Sequence, residues 1–226
     1  MKGIMFTEDM FKAVINGRKT QSRRIIFPDT DYTFWSQPSF EGIETDPGDV
    51  FKIDKEGEII CYKDGEPKLC NLKGTYALFE GDQFHYETSY IRATYQPGET
   101  VYLKEPYILL PDRPTIYRYG VDIPFNEGYP WKNKMFMPEK YARYFIKIAK
   151  VEVQKVQDIT EEDARNEGVY FAKSPMGNCY LDYINGGCNI LVSAYKSFRS
   201  LWRKINGNES WELNPWVFIY TFELNS

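Results

Sequence analysis

Apolar positions along the chain follow two periods, and the switches between them mark its elements. Between Thr7 and Asn16, Met10, Phe11, Val14 and Ile15 recur at helical spacing, with Thr7 placed as N-cap and Gly17 placed to end the helix in a left-handed turn. The segment KTQSRRIIF beyond it reads as a strand starting from that turn. Residues 28–95 mix Gly, Asp, Glu and Tyr, with hairpin turns expected at DKEGE and KDGEP between β-prone pieces such as FKI and EIICY. Aromatic and β-branched residues persist through this stretch, which suits an inserted β-hairpin or small sheet better than a disordered linker.

From residue 96 the alternation sharpens. QPGETVYLKEPYILL holds a Pro-Gly turn and then a strand in which Val101 and Leu103 alternate with Tyr102 and Lys104, leaving Glu105 at the strand end before Pro106. IYRYG reads as another strand, WKNKMFMP as a loop, and Pro138 suits the first turn of a short helix, PEKYAR. YFIKIAKVEVQKV (144–156) alternates almost strictly, as one long or bent strand. ITEEDARNEG then carries a helix with Thr160 as N-cap, Asp163 as its capping-box partner and Gly168 as stop. Ala194, Phe198, Leu201, Trp202 and Ile205 mark one face of a helix ending at Asn206-Gly207. The continuous apolar run of NPWVFIYTFEL predicts a closing strand buried on both faces.

Many short strands, three or four short helices and no βαβ alternation predict an α+β, mainly β fold: a partly open β-barrel with helices at its rims. The 226 residues suit one domain (1–226) with an insertion at about 29–93.

Composition narrows the partners. A formal net charge of -4 and a pI near 5.3 argue against a protein that coats nucleic acid through global charge, so any polyanion contact must be local. Glu8 and Asp9 stand where a signal peptide would need an apolar core, and no run approaches the ~18 apolar residues of a spanning helix. A soluble cytoplasmic protein without membrane contact is expected. Cys61, Cys70, Cys179 and Cys188 lack CxxC spacing and His85 is the single histidine, so reduced thiols are expected, with no metal and no cofactor.

Against that acidic balance, RKTQSRR gathers Arg18, Lys19, Arg23 and Arg24 around Thr20, Gln21 and Ser22 at a turn-to-strand junction. Arg24 and Arg118 could grip a phosphate bidentately. Trp131, in a loop among Pro, Lys and Asn, could stack on a base. Trp202 and Trp216 fall at core positions. Glu105 could support the site through an ion pair with Arg23 or Arg24, or touch substrate.

The segments GRKTQSRR, YQPGETVYLKEPY, MPEKYARYFIKIAKVEVQKVQDITEEDARNEGV, FRSLWRKING and NPWVFIYTFEL, in that order, resemble the ASCH-domain proteins of phages and bacteria, members of the PUA-like superfamily. The resemblance covers about residues 1–28 and 94–226. It implies a mostly antiparallel β-barrel with flanking helices and a cleft for RNA, a nucleotide or a modified nucleoside. That family includes a small bacterial amidohydrolase that deacetylates N4-acetylcytidine, and its GRKT motif is similar to Gly17–Thr20. By that likeness its nucleophilic threonine falls at Ser22 and its catalytic glutamate at Glu167.

The resemblance thus implies a catalytic set of Lys19, Ser22 and Glu167 beside Arg18 and Thr20 of the GRKT motif, and the reading of the residues above adds Arg23, Arg24, Glu105, Arg118 and Trp131 as substrate contacts. For a hydroxyl to cleave an amide it needs a base, and a lysine serves only where burial or nearby cations lower its pKa. Lys19 and Ser22 would face opposite sides of a regular strand, so Lys19 must still lie in the turn. A phosphate-binding basic turn without turnover stands beside this reading, as does a phage accessory protein that binds a host protein through 29–93.

Overall fold

The computed structural model describes residues 1–26, 51–63, 66–79, 89–110, 115–120, 129–174, 177–186, 190–191 and 193–225. Its strands are β1 (Lys2–Met5), β2 (Gln21–Ile25), β3 (Phe51–Lys63), β4 (Glu66–Phe79), β5 (Ser89–Arg92), β6 (Thr100–Lys104), β7 (Tyr107–Ile108), β8 (Ile116–Tyr117), β9 (Phe145–Lys155), β10 (Phe171–Ser174), β11 (Gly177–Leu181), β12 (Ile190–Leu191) and β13 (Trp216–Asn225). Three helices are interspersed: α1 (Glu8–Ile15), α2 (Glu161–Asn166) and α3 (Ala194–Asn206). The fold is α+β and mainly β.

The central sheet has the order β1-β6-β9-β13-β2. It is not wholly antiparallel, because β1 runs parallel to β6 while the other pairs are antiparallel. Its edge strands β1 and β2 do not pair with each other among the described residues, so the sheet is open. β13 lies between β9 and β2, and four successive residues, Val217, Phe218, Ile219 and Tyr220, are buried. That accounts for its unbroken apolar run: both faces of the strand are covered. β9 buries Ile146 and Ile148 and then Val151 and Val153. The parity changes where the register with β13 shifts between Thr221 and Phe222, a bulge that inserts Ala149 and bends the strand.

Residues 51–92 hold a three-stranded antiparallel sheet, β3-β4-β5. The hairpin expected at KDGEP is present, with Lys63 opposite Glu66 across residues 64–65. DKEGE is not a turn; it runs within β3 at a register irregularity between Ile53 and Gly57. Residues 29–50, 64–65 and 80–88 of the 29–93 segment, with His85, lie outside the described residues, as does Cys188. PEKYAR forms a single 3-10 turn, Glu139–Tyr141.

The helices form where caps and apolar spacing predicted them. Thr7 Oγ1 accepts from Met10 N–H at 3.4 Å, Thr160 Oγ1 from Asp163 N–H at 3.1 Å and Ser193 Oγ from Lys196 N–H at 3.2 Å. α1 packs Phe11 against Tyr119 and Tyr144 at ring centroid distances of 5.1 and 5.8 Å. α3 packs Phe198 against Trp202 and Trp211. None of the described helices is long and apolar enough to cross a membrane.

Candidate functional site

The turn after α1 is fastened to the end of α2. Arg18 N–H and Lys19 N–H both donate to Ala13 O, and Thr20 N–H donates to Asn166 O at 2.8 Å. Lys19 and Glu167 form an isolated antiparallel bridge. Lys19 therefore precedes β2 and lies in the turn, but its Nζ makes no hydrogen bond to Ser22 Oγ among the described residues. Gly168 permits the approach: its φ is +84°, and a Cβ there would lie 2.6 Å from Lys19 Cβ. Only glycine fits this left-handed position beside the lysine.

A cavity of about 540 Å³ opens beside this junction, within the range typical of ligand pockets. Its inner wall holds Lys19, Ser22, Arg23 and Glu167, all buried. Lys19 Nζ donates to Glu167 O at 2.8 Å and to Glu167 Oε2 at 2.7 Å. Arg23 Nη1 donates to the other carboxylate oxygen, Oε1, at 3.1 Å. Arg23 Nη2 is 3.2 Å from Asp163 Oδ2, a separation without hydrogen-bond alignment, since Nη2 and Nε are buried without a hydrogen-bond partner. Two cations thus share one buried carboxylate, and that carboxylate is the only acidic group lining the cavity among the described residues.

Burial pushes the Lys19 ammonium below its ordinary pKa of 10.5; the Glu167 carboxylate opposes this, and Arg24 and Arg23 reinforce it. Both hydrogen bonds of Lys19 Nζ go to Glu167, so its third tetrahedral direction has no hydrogen-bond partner among the described residues.

The apolar wall is Phe6 and Met10 on one side and Phe198, Leu201 and Trp202 of α3 on the other. At the mouth stand Arg24 from β2, Asn133, Lys134 and Met135 from a 3-10 turn, and Ile205 and Asn206 from the last turn of α3. Arg24 Nη2 donates to Met5 O at 2.8 Å, and its guanidinium lies 5.5 Å from the Phe6 ring centroid.

Of the ten candidate residues, Lys19, Ser22, Glu167, Arg23 and Arg24 meet at this cavity and five do not. Arg18 turns away, donating to Gly168 O at 3.2 Å and stacking 5.6 Å from the Tyr170 ring centroid. Thr20 is consumed by its backbone, which bonds Asn166 on one side and Phe222 on the other. Glu105 is fully buried but pairs with Arg143, at 2.7 and 2.8 Å, rather than with Arg23 or Arg24. Arg143 packs on Tyr117 and Tyr144, so Glu105 anchors an aromatic-cation stack that is not part of the cavity lining. Arg118 is exposed because its neighbour Tyr119 takes the inward position on a 3-10 turn. Trp131 is half-buried off the cavity, since Lys132 N–H binds Tyr107 O and ties this segment to β7.

Sequence reasoning missed Lys134 and treated Trp202 as core alone. The signal for the α3 wall was present: its apolar face continues to Ile205, which is half exposed because it has run past the core onto the cavity mouth. Lys134 left no signal, being one of two lysines in WKNK. Among the described residues no group of His, Cys, Asp and Glu could hold a metal ion. No family model, no curated protein and no solved structure matches this chain.

Proposed function

We propose that this chain is an ASCH-type protein of PUA-like fold whose cavity takes an acylated pyrimidine nucleoside such as N4-acetylcytidine and hydrolyses its amide. The observation that carries the proposal is the convergence of Lys19, Ser22 and Glu167 on one cavity, with Lys19 buried and held by Glu167 through two hydrogen bonds. An open, strand-rich sheet with short helices at its edges is compatible with that fold.

The chemistry follows from the residues. Lys19, as the free amine, takes the proton of Ser22 Oγ while that oxygen adds to the acyl carbon. The carbon–nitrogen bond breaks, and the Lys19 ammonium returns the proton to the departing cytidine nitrogen. Water then adds to the acyl-serine, gives a proton to Lys19, and acetate leaves as Ser22 is reprotonated. Because both oxygens of Glu167 are engaged by Lys19 and Arg23, this reading makes Glu167 a positioning residue, aiming the lysine lone pair and stabilising its transient charge. Phe6, Phe198 and Trp202 supply apolar surface for the base.

The saturation of Glu167 also favours a second reading, a pocket that binds RNA or a nucleoside without turnover. Incubation with N4-acetylcytidine and chromatography of released cytidine separates the two. The proposal expects turnover that falls on the order of a hundredfold or more in Lys19→Ala and Ser22→Ala; retained binding with no turnover in the parent chain would leave the second reading.

A further inference from the structure

The cavity carries more positive charge than the proposed chemistry uses. Four cations, Lys19, Arg23, Arg24 and Lys134, line it against one carboxylate, Glu167, in a chain whose formal net charge is -4. Lys19 and Arg23 are accounted for by Glu167. Arg24 and Lys134 are not: neither has a carboxylate within ion-pair distance among the described residues, and both are held by neutral carbonyls instead. Arg24 Nη2 donates to Met5 O at 2.8 Å. Lys134 Nζ donates to Phe6 O at 2.6 Å and to Tyr119 Oη at 3.2 Å. Carbonyl contacts from successive residues, Met5 and Phe6, thus fix two cations from different elements at one rim. They leave the charges uncompensated.

We propose that Arg24 and Lys134 form a phosphate subsite at the cavity mouth, so that the favoured ligand is a nucleoside 5′-monophosphate rather than a free nucleoside. The proposal rests on the nucleoside reading of the cavity but not on turnover. Arg24 donates to Met5 through one nitrogen and keeps other N–H groups for a forked contact, and Lys134 adds a point charge. Two fixed cations match a terminal phosphomonoester, whose charge approaches -2 at neutral pH. An internal phosphodiester carries half of that. The enclosed inner wall suits one base, with the phosphate left in the mouth where the cations stand.

The test compares cytidine 5′-monophosphate with cytidine by titration calorimetry on the full chain at low salt. The monophosphate should bind on the order of tenfold more tightly. Arg24→Gln and Lys134→Gln should each reduce that ratio, and the double variant should bring it close to one while cytidine affinity and thermal stability hold. Equal affinities in the parent chain, a ratio indifferent to the double variant, or binding of neither compound would overturn the subsite. A third arm uses the trinucleotide CpCpC lacking a terminal phosphate: if it binds more tightly than the monophosphate, the cations read a strand and the terminal-phosphate proposal fails. If monophosphate preference holds while N4-acetylcytidine is never hydrolysed, the subsite stands and the amidohydrolase reading alone falls.

Discussion

Replacing Glu167 by Gln removes the charge that Lys19 and Arg23 share and changes little else in shape. In the parent chain both cations are buried and the Arg23 side chain is wholly inaccessible. Breaking a buried pair by deleting one partner costs about 3–5 kcal/mol, because an uncompensated charge is left behind. Arg23 cannot shed its proton and keeps the neutral contact of Nη1 to Gln21 Oε1 at 3.2 Å and the imperfect approach of Nη2 to Asp163 at 3.2 Å, so its share of the loss should persist at every pH. Lys19 can respond. Glu167 supplies the influences that raise its pKa, against burial and the two arginines that lower it, so in the variant its folded pKa falls further. A base with a folded pKa below its unfolded 10.5 makes the native state least stable at low pH. Stability then rises as pH climbs from the folded value towards the unfolded one, where the unfolded chain binds more protons. The variant's extra Lys19 penalty is therefore largest below its own folded pKa and closes as pH rises through that of the parent. Urea unfolding followed by the fluorescence of the five tryptophans, at about pH 6 and about pH 10, reads this directly. A deficit of about 3–5 kcal/mol at the lower pH, visibly smaller at the higher, is expected. A loss under about 1 kcal/mol, or one that grows with pH, would refute the account of a shared buried carboxylate.

Other expected outcomes concern the parts around that pair. Gly168→Ala puts a Cβ 2.6 Å from that of Lys19 at a φ of +84°; a stability loss of about 1–3 kcal/mol and displacement of Lys19 should follow, seen as a lowered Tm together with lost cytidine release. Glu105→Gln weakens the Arg143 clamp, and about 2 kcal/mol should be lost in urea melts while ligand affinity is unchanged, because that pair is absent from the cavity lining. Trp202→Ala strips the α3 wall and should cost about 3–5 kcal/mol in the same melts.

How far the sequence could be read depended on whether a feature is local. Caps and helical faces are local, so Thr7, Thr160 and Gly17 located their helices, and the near-strict alternation of 144–156 marked one long or bent strand, whereas the bulge at Ala149 depends on pairing with β13 and has no local mark. The meeting of Lys19 with Glu167 is not local: 148 residues separate them, and periodicity gives no such distance; only the family likeness suggested it. Glu105 shows the opposite failure. A carboxylate at a strand end looks available to any nearby arginine, and nothing in KEPY says that Arg143 rather than Arg23 will face it. DKEGE carries turn residues, yet it is absorbed into β3, where pairing with β4 overrides local preference at the cost of a register irregularity. Lys134 gained its position from a short 3-10 turn between irregular segments, a geometry without a pattern to read.

The central claim is that Lys19 acts as a buried free amine aimed by Glu167 at Ser22. The pH dependence of kcat/KM for release of cytidine from N4-acetylcytidine tests it most directly. The account predicts activity that rises with pH to a plateau, with a midpoint below 10.5, shifted to still lower pH in Glu167→Gln and abolished in Ser22→Ala. A profile that falls as pH rises, a midpoint indifferent to Glu167, or full activity without Ser22 would contradict it.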